Sequence, residues 1–447
     1  MSIFKKTFTW IALLFPPLAF YALLVKSRLA VPFDDDYHVV LGFLLRWKQE
    51  SGISHILEIV TYQDNDYRLM FENTFIGIQY ALLGHVNLEV LAFIGNLFVL
   101  PLFGVLYLIW RQCGRAREYT LLAFVPASWI LFQLQYAGAL NNVTGSLQLI
   151  PIVMFALLTL FLASQASKKT FLWALLSLLF CIASNANGLF LIPIGAALFL
   201  QRKEYKRLAA WCCCSVAACM VYFYKYNFKV GEAHAHSSNN VISIFQHFSP
   251  AYALAFLGDI AAIRNPLPAI LYGAILCGVL IYATWDRLFE KRPALYYSAL
   301  FFFVTGVAVS GHRSVLGLTT AMNSPYRINS TLLTILLYLY LADKFYGIRI
   351  RPLVFRTGIC IFAALLLAFN IASSWGGEKL LLSKRHKLEV ALLRWERHEP
   401  RPLVTAITPG DLTADSEMKG KYEPIEPTLS DAIREGIYIL PNLPMGN

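Results

Sequence analysis

Charged residues are scarce in this sequence. Asp, Glu, Lys and Arg make up 15% of the 447 residues, whereas hydrophobic residues make up 57%. The mean hydropathy is +0.55, which ordinary soluble domains of this length do not show. The composition therefore excludes a soluble enzyme and predicts an all-α polytopic membrane protein.

The sequence also lacks a disulfide framework and a convincing cleavage site. All eight cysteines fall inside apolar runs or at the ends of these runs that we place on the cytoplasmic side. We therefore predict no disulfide bond. The first apolar run follows Lys5 and Lys6, but no small-x-small pattern precedes Asp34. We therefore expect this run to be retained as a membrane span.

Apolar runs of about 17 to 25 residues indicate transmembrane helices. The sequence contains about eleven candidates, some of them short, near residues 8–25, 88–110, 119–136, 147–163, 171–184, 189–200, 208–228, 266–285, 294–309, 328–342 and 354–374.

Basic residues mark one side of these predicted spans. Lys and Arg collect in the alternate connections 111–117, 168–169, 202–207, 287–292 and 344–356. Cytoplasmic loops carry such an excess, so the net charge of +11 indicates topology and contact with anionic lipid, with no nucleic-acid partner. We expect a multi-pass protein of the plasma (inner) membrane.

This orientation divides the chain into two parts. Residues 1–374 form the predicted membrane domain, with a first outer loop at 31–87, and residues 375–447 form an extracytoplasmic tail that we expect to cover or dock onto the rest. The loop and the tail are both predicted on the periplasmic or extracellular face.

The first outer loop opens with the acidic cluster Asp34, Asp35 and Asp36, directly after the first span. Charge at the mouth of a span is costly and usually has a function. A second polar cluster follows at residues 64–68 and Glu72, and we expect both clusters to face one aqueous pocket. The alternative is that the aspartates cap the next helix, although one carboxylate is enough for a cap.

Two short helices are predicted between these clusters. Residues 37–50 place Val39, Val40, Phe43, Leu44 and Trp47 on one helical face, and residues 53–60 form a shorter helix. Such segments are typical of interfacial helices with the apolar side toward lipid. Residues 67–83 are predicted to form a helix that leads back to the membrane.

The later outer loops carry further candidates. Arg313 and Arg327 lie on a short loop where the positive-inside bias disfavours arginine, so we expect a local anionic partner, either an internal aspartate or a phosphate group. Asn185 and Asn187 are either helix caps or ligands of sugar hydroxyls. His234 and its neighbours in a long loop are weak evidence for metal, and no metal site is predicted.

The order of these features resembles the GT-C superfamily of polytopic glycosyltransferases. The resemblance is greatest to bacterial members that use polyprenyl-phosphate sugars, relatives of protein mannosyltransferases and lipid A aminoarabinose transferases. Residues 34–38 match the acidic opening of the first loop in that family, and residues 64–68 are similar to its Asn-Glu-His-Arg segment, with Asp66 for Glu and Tyr67 for His. Asn187 and Gly188 are similar to the Ala-Asn-Gly turn of that family. Residues 313–327 are similar to its Gly-Arg, Gly, Ala and Ser-Arg-Tyr spacing, although the last two residues here are in the order Tyr-Arg.

The resemblance implies a hexosyltransferase type of enzyme. It would move a sugar from a polyprenyl-phosphate donor to an envelope glycan or lipid-linked acceptor on the outer face of the membrane. The reaction would be a single displacement with inversion at the anomeric carbon. No cofactor is expected, and the participation of a divalent cation is left open. Asp35 is the expected base, with Asp34 and Asp36 as the other candidates. The expected substrate-binding residues are Asp66, Arg68, Glu72, Asn187, Arg313, Tyr326 and Arg327.

The chemistry of such a transfer agrees with these residue types. The acceptor hydroxyl needs a base, and a carboxylate in a partly desolvated pocket can serve. The departing lipid phosphate gathers negative charge, which preorganised arginines stabilise.

Two other functions remain as alternatives. A polymerase or ligase of undecaprenyl-diphosphate glycans also has many spans, but it usually places its catalytic residues in large later loops. A lipid-linked glycan transporter would concentrate charged residues at mid-membrane, often in repeated halves. The ionisable residues here lie at outer ends and no internal repeat is evident, which favours the transferase.

Overall fold

The computed structural model describes residues 3–64, 67–112, 120–228, 247–262, 265–345, 352–399, 403 and 425–441. Helices dominate these residues, as predicted. The α-helices are Ile3–Lys26, Phe43–Trp47, Ser54–Thr61, Met70–Leu83, Leu88–Leu97, Val99–Arg111, Thr120–Leu131, Ile150–Ala163, Lys168–Ser184, Leu191–Gln201, Tyr205–Tyr222, Pro250–Leu257, Pro266–Trp285, Leu288–Lys291, Pro293–Arg313, Arg327–Phe345, Pro352–Glu396 and Ile425–Arg434. The π-helices are Asp36–Gly42 and Gly145–Leu149, and the short strands Gln63–Asp64 and Tyr67–Arg68 pair antiparallel.

Six helices within the described residues are long and apolar enough to cross a membrane. They are Lys6–Lys26, Leu88–Arg111, Gly145–Ala163, Pro266–Trp285, Pro293–Leu316 and Ile361–Glu396, with shorter apolar helices at Leu121–Leu131 and Ala186–Gln201. The chain is therefore a polytopic, helical membrane protein, but the predicted count of eleven spans is not confirmed. Three other predicted spans fall on helices whose charged ends shorten the apolar length, namely Lys168–Ser184, Tyr205–Tyr222 and Arg327–Phe345.

The described helices enclose two hydrophobic cores. The larger one lies among the membrane helices. The smaller one joins the first outer loop to the end of the long helix Pro352–Glu396 and to the helix Ile425–Arg434. We call residues 29–86, 388–399 and 425–441 the cap.

The helix at residues 36–47 lies inside the cap. Val39, Val40, Phe43 and Leu44 are fully buried, and the segment packs against Ile425–Arg434 and Met70–Leu83. The prediction that this apolar face points toward lipid is wrong, because periodicity identifies an apolar face without identifying what covers it. The next helix, Ser54–Thr61, has no buried residue and leaves Ile56 and Leu57 exposed.

The end of the chain is fastened to the first outer loop. The backbone N–H of Val86 donates to the Ile437 carbonyl at 2.8 Å, and the Tyr438 hydroxyl donates to the Ala30 carbonyl at 2.9 Å. The helix Pro352–Glu396 runs without a break through the predicted domain boundary at 374/375. The described part of the tail is thus a continuation of the last membrane helix together with a segment that docks on the loop.

Candidate functional site

Asp36 connects the first outer loop to a membrane helix. One carboxylate oxygen accepts the backbone N–H groups of Val143 and Thr144 at 3.1 and 3.2 Å and the Thr144 hydroxyl at 3.3 Å. The other oxygen accepts the Phe33 N–H at 3.2 Å. Since the helix continuing to Ala163 begins at these residues, Asp36 caps its N-terminus, where a carboxylate is favourable. Of the three aspartates, Asp36 is therefore the least suited to take a proton from a substrate.

Burial changes the acidity of Asp36. The side chain is 1% exposed, and burial raises its pKa to about 6, although the amide donors and the Lys384 charge act in the opposite direction. The folded-state pKa thus lies above the unfolded value of about 3.9. The folded chain holds this proton more firmly, so the contribution to stability is present below pH 4 and is lost as pH rises through 6.

Removal of this group should flatten the pH dependence of stability. A shift of about two pKa units corresponds to about 3 kcal/mol of unfolding free energy between pH 4 and pH 7. We expect the wild-type thermal unfolding midpoint to fall across this interval, and the Asp36→Asn midpoint to fall less. Equal slopes for the two proteins in the same detergent would contradict the assignment.

Asp34 and Asp35 stand at the start of the π-helix. Both are half-buried, Asp34 has a backbone φ of 50°, and Asp35 is the residue that precedes the first helical position. Aspartate tolerates this left-handed conformation better than most residues. The turn thus places Asp34 and Asp35 directly before the helix that Asp36 begins.

Lys384 reaches this acidic cluster from the long C-terminal helix. Its ammonium nitrogen lies 3.2 Å from the centre of the Phe33 ring and donates to the Asn141 side-chain oxygen at 3.1 Å. Its charge interacts with Asp36 and Asp34. Lys384 was not predicted as a site residue, because nothing local in the sequence links a lysine near the end of the chain to the first outer loop.

The short hairpin carries the centre of the site. Asp64 pairs with Tyr67 across the two strands, and the charged and phenolic groups that act on the Tyr67 hydroxyl are Asp35, Asp64, Arg313 and Tyr326. Burial raises the pKa of Tyr67 well above its ordinary value, so its hydroxyl keeps the proton. Charges of the first acidic cluster and of Arg313, on the short loop that also carries Arg327, thus act on one hydroxyl.

Arg313 is held by an aromatic neighbour. Its guanidinium donates to the Tyr326 hydroxyl and lies 5.2 Å from the centre of the same ring. Stacking on an aromatic face orients the planar guanidinium. Tyr67 and Asp64, which were not among the predicted site residues, belong to this group.

Arg68 turns away from this group and supports the hairpin. Its side chain is fully buried and donates to the carbonyls of Val60 and Tyr224 at 2.8 and 2.7 Å. The guanidinium also lies over the Tyr226 ring. These contacts hold the strand that carries Tyr67. Arg68, which was predicted to bind substrate, therefore has a structural role.

Glu72 is buried beside the two acidic clusters. The side chain is 0% exposed, and neither carboxyl oxygen has a hydrogen-bond partner in the described part of the chain. The Thr144 hydroxyl is near Glu72 as well, but it has one proton and donates it to Asp36. Burial, and after it the Asp36 charge, raises the pKa of Glu72 well above its ordinary value. Burial therefore favours the neutral form of the Glu72 carboxyl.

Arg327 has an internal aspartate as its anionic partner. Its guanidinium donates to one Asp259 carboxylate oxygen at 2.9 and 3.1 Å and to the carbonyls of Gln135 and Met322 at 3.3 and 3.2 Å. Asp259 is fully buried, and burial raises its pKa to about 6 although Arg327 acts to lower it. Of the two partners that the sequence left open for the loop arginines, Arg327 contacts the internal carboxylate.

Breaking this ion pair should cost stability. Arg327→Met leaves the Asp259 charge buried without its partner, which typically costs about 3 to 5 kcal/mol. We expect a lower thermal unfolding midpoint for Arg327→Met and a partial recovery in the double variant Arg327→Met with Asp259→Asn, because the amide carries no charge. A double variant as unstable as the single one would contradict a role for the pair.

The remaining predicted residues lie apart or outside the described residues. The Asn185 side chain accepts the Asn187 N–H at 3.0 Å, so Asn185 is a cap, and half-buried Asn187 belongs to a short helix that packs on Lys168–Ser184 and Leu191–Gln201. Asp66, His234 and His236 are outside the described residues. Within those residues, no three His, Cys, Asp or Glu side chains are grouped as metal ligands.

The overall arrangement is similar to a solved structure. It matches the archaeal oligosaccharyltransferase AglB from Archaeoglobus fulgidus, solved in complex with an inhibitory peptide and a dolichol-phosphate, with a TM-score of 0.51 and 13% sequence identity. At this level of identity the match shows a shared fold and nothing finer. The match covers 96% of this chain and 64% of AglB, so the chain spans less than two thirds of that protein's length.

This likeness agrees with the predicted GT-C superfamily in fold alone. No protein-family model and no curated protein matches the sequence. The bacterial branch and the polyprenyl-phosphate donor stay predictions.

Proposed function

We propose that this protein is a membrane glycosyltransferase that moves one sugar from a polyprenyl-phosphate donor to an envelope glycan or lipid-linked acceptor on the outer face of the membrane. The observation that carries the proposal is that the Asp35 and Arg313 charges both act on the Tyr67 hydroxyl, in a fold similar to that of a membrane oligosaccharyltransferase. A base and a cation are the two groups that this transfer needs, and they come from loops far apart in the chain.

The proposed reaction is a single displacement at the anomeric carbon. The acceptor oxygen forms a bond to this carbon while its proton passes to the Asp35 carboxylate. The bond between the anomeric carbon and the phosphate oxygen breaks, and its electron pair leaves with the polyprenyl phosphate. Attack opposite to the leaving group inverts the anomeric configuration.

Arg313 is the proposed cation at the leaving phosphate. A guanidinium has five N–H donors, so it can serve both the Tyr326 hydroxyl and a phosphate oxygen. Its stacked position on Tyr326 holds it before the reaction begins, and preorganised charge is what stabilises a developing anion.

The other residues take positioning roles in this proposal. Asp36 fixes the loop that carries Asp35 to the helix beginning at Val143, and Arg68 fixes the hairpin that carries Tyr67. Glu72 is buried near them, and burial together with the Asp36 and Asp35 charges disfavours its charged form. Arg327 holds its loop through Asp259.

Purified protein in lipid nanodiscs tests this function. A panel of polyprenyl-phosphate hexoses is added with a membrane glycolipid extract as the acceptor, and released polyprenyl phosphate is measured. We expect the wild type to consume one donor of the panel and Asp35→Asn to consume that donor much more slowly. The control Asp431→Asn changes an exposed carboxylate of the cap and should behave as wild type. Equal release by wild type and Asp35→Asn would contradict the proposal.

A further inference from the structure

The helix Ser54–Thr61 has apolar side chains on both of its faces. On the inner face, Ile59 packs against the smaller hydrophobic core, and the His55 ring stacks on the Trp47 ring with the ring centres 4.2 Å apart. The outer face carries three apolar side chains that are 76%, 61% and 47% exposed, those of Ile53, Ile56 and Leu57. Because the inner contacts fix the rotation of the helix, its outer face needs a separate apolar partner.

One arginine joins the end of this helix to the segment that follows the helix Tyr205–Tyr222. The Arg68 guanidinium donates to the Val60 carbonyl at 2.8 Å and to the Tyr224 carbonyl at 2.7 Å. Val60 and Tyr224 are therefore neighbours, and the position of Tyr224 in the membrane gives that of Val60.

Tyr224 follows a helix of nearly membrane length. Tyr205–Tyr222 has 18 residues, or about 27 Å, against about 30 Å for the hydrocarbon core. It begins at the basic connection 202–207, which we assign to the cytoplasmic side. Tyr224 thus lies at the opposite interface, where aromatic side chains are enriched, and both Tyr224 and Phe228 are exposed there.

The outer face stays at this interface for either direction of the short helix. Ile56 and Leu57 precede Val60 by about one helical turn, or about 5.4 Å. The head-group region on each side of the hydrocarbon core is about 5 to 8 Å thick. One turn therefore either brings these side chains to the acyl boundary or leaves them among the head groups, and lipid is the apolar phase within their reach.

The helix carries no charge that would select an anionic lipid. Ser54–Thr61 contains no Lys or Arg, and its one carboxylate, Glu58, is half-buried. Helices that bind anionic membranes carry basic residues on their polar face. This helix offers apolar area alone, so its contact with lipid should not depend on the head-group charge.

We propose that the outer face of the helix Ser54–Thr61 inserts into the bilayer on the side of the first outer loop and anchors the hairpin that follows. The strand Gln63–Asp64 begins two residues after Thr61, so the hairpin that carries Tyr67 starts where the anchored helix ends. The anchor sets the depth of Tyr67 relative to the lipid head groups. The lipid contact stands independently of the transfer reaction.

Photo-cross-linking of the full chain in nanodiscs tests this proposal. Benzoylphenylalanine replaces Ile56 in discs of dioleoyl phosphatidylcholine, and the intact mass of the protein is measured after irradiation. We expect a mass increase of one phospholipid. The yield should be the same in discs that also contain anionic phosphatidylglycerol. The readout involves no sugar transfer, so a failure of the transferase proposal would not be mistaken for a failure of this one.

Other positions for the same label provide the controls. Val216 is 58% exposed on the helix Tyr205–Tyr222 and should give the lipid adduct. Ser430 is an exposed residue of the cap, next to the surface ion pair of Asp431 and Arg434, and should give none. The label at Leu57 repeats the test in case the Ile56 variant does not fold.

Three results would overturn the anchor. The first is the absence of an adduct from both Ile56 and Leu57 while Val216 gives one. The second is an adduct that forms only in discs with phosphatidylglycerol, which would replace apolar insertion by attraction to charge. The third is a cross-link from position 56 to a second copy of the chain in liposomes, in place of lipid, which would assign the outer face to an interface between copies.

Discussion

Asp35→Asn should lower the rate of sugar transfer by about 10²- to 10⁴-fold, the usual contribution of a general base. The amide has nearly the shape of the carboxylate but cannot take the acceptor proton. The loss should appear in kcat with little change in KM for the donor, because the proton moves only in the transition state. The measurement is the initial rate of polyprenyl-phosphate release in nanodiscs.

Asp34→Asn is the matched control for this experiment. Asp34 neighbours Asp35, and Asn tolerates its positive φ as well as Asp does, so the turn should survive the change. We expect a loss of less than tenfold. If Asp34→Asn instead shows the 10²- to 10⁴-fold loss and Asp35→Asn stays active, the base is Asp34.

Arg313→Met should lower the transfer rate by about 10²- to 10³-fold, the effect of removing one preorganised donor from a developing anion. Arg313→Lys should recover part of the rate, because it restores the charge but not the planar fork that stacks on Tyr326. Initial rates at saturating donor, with thermal unfolding midpoints measured in parallel, separate this effect from a loss of folding.

Arg327 provides the comparison for Arg313. The same change to methionine at Arg327 breaks the buried pair with Asp259, so it should lower the unfolding midpoint more than Arg313→Met does. If Arg313→Met instead leaves the rate of the folded protein unchanged, the proposed cation at the leaving phosphate is wrong.

Composition and local pattern predicted much of the membrane fold. Apolar runs and basic connections identified a polytopic helical protein, because the bilayer constrains helix length and charge strongly. The number of spans was harder to obtain. A helix such as Arg327–Phe345 carries charges at both ends, and only its packing decides how it sits among its neighbours.

The contacts among the predicted site residues were only partly predictable from the sequence. The charges of Asp35 and Asp64 act on the same Tyr67 hydroxyl, whereas Asp36 accepts hydrogen bonds from the amides of Val143 and Thr144. Lys384 joins the cluster from the last helix. Such contacts join residues that are distant in sequence, and a single sequence contains no signal for them.

The burial of the first-loop helix follows the same logic. Val40 and Leu44 could have faced lipid or protein with the same periodicity. The Ile425–Arg434 helix covers them, and its own apolar residues, Leu429 among them, were the available signal for a docked segment.

Mass spectrometry of cell-envelope and lipid-linked glycans tests the central claim most directly. It compares cells that carry the intact protein, the Asp35→Asn variant or no protein, after the variant has been shown to reach the membrane. The account predicts that the variant and the deletion lose the same single-sugar increment from one glycan. A change in chain length or export without the loss of a single sugar would contradict it, and would indicate a polymerase or a transporter instead.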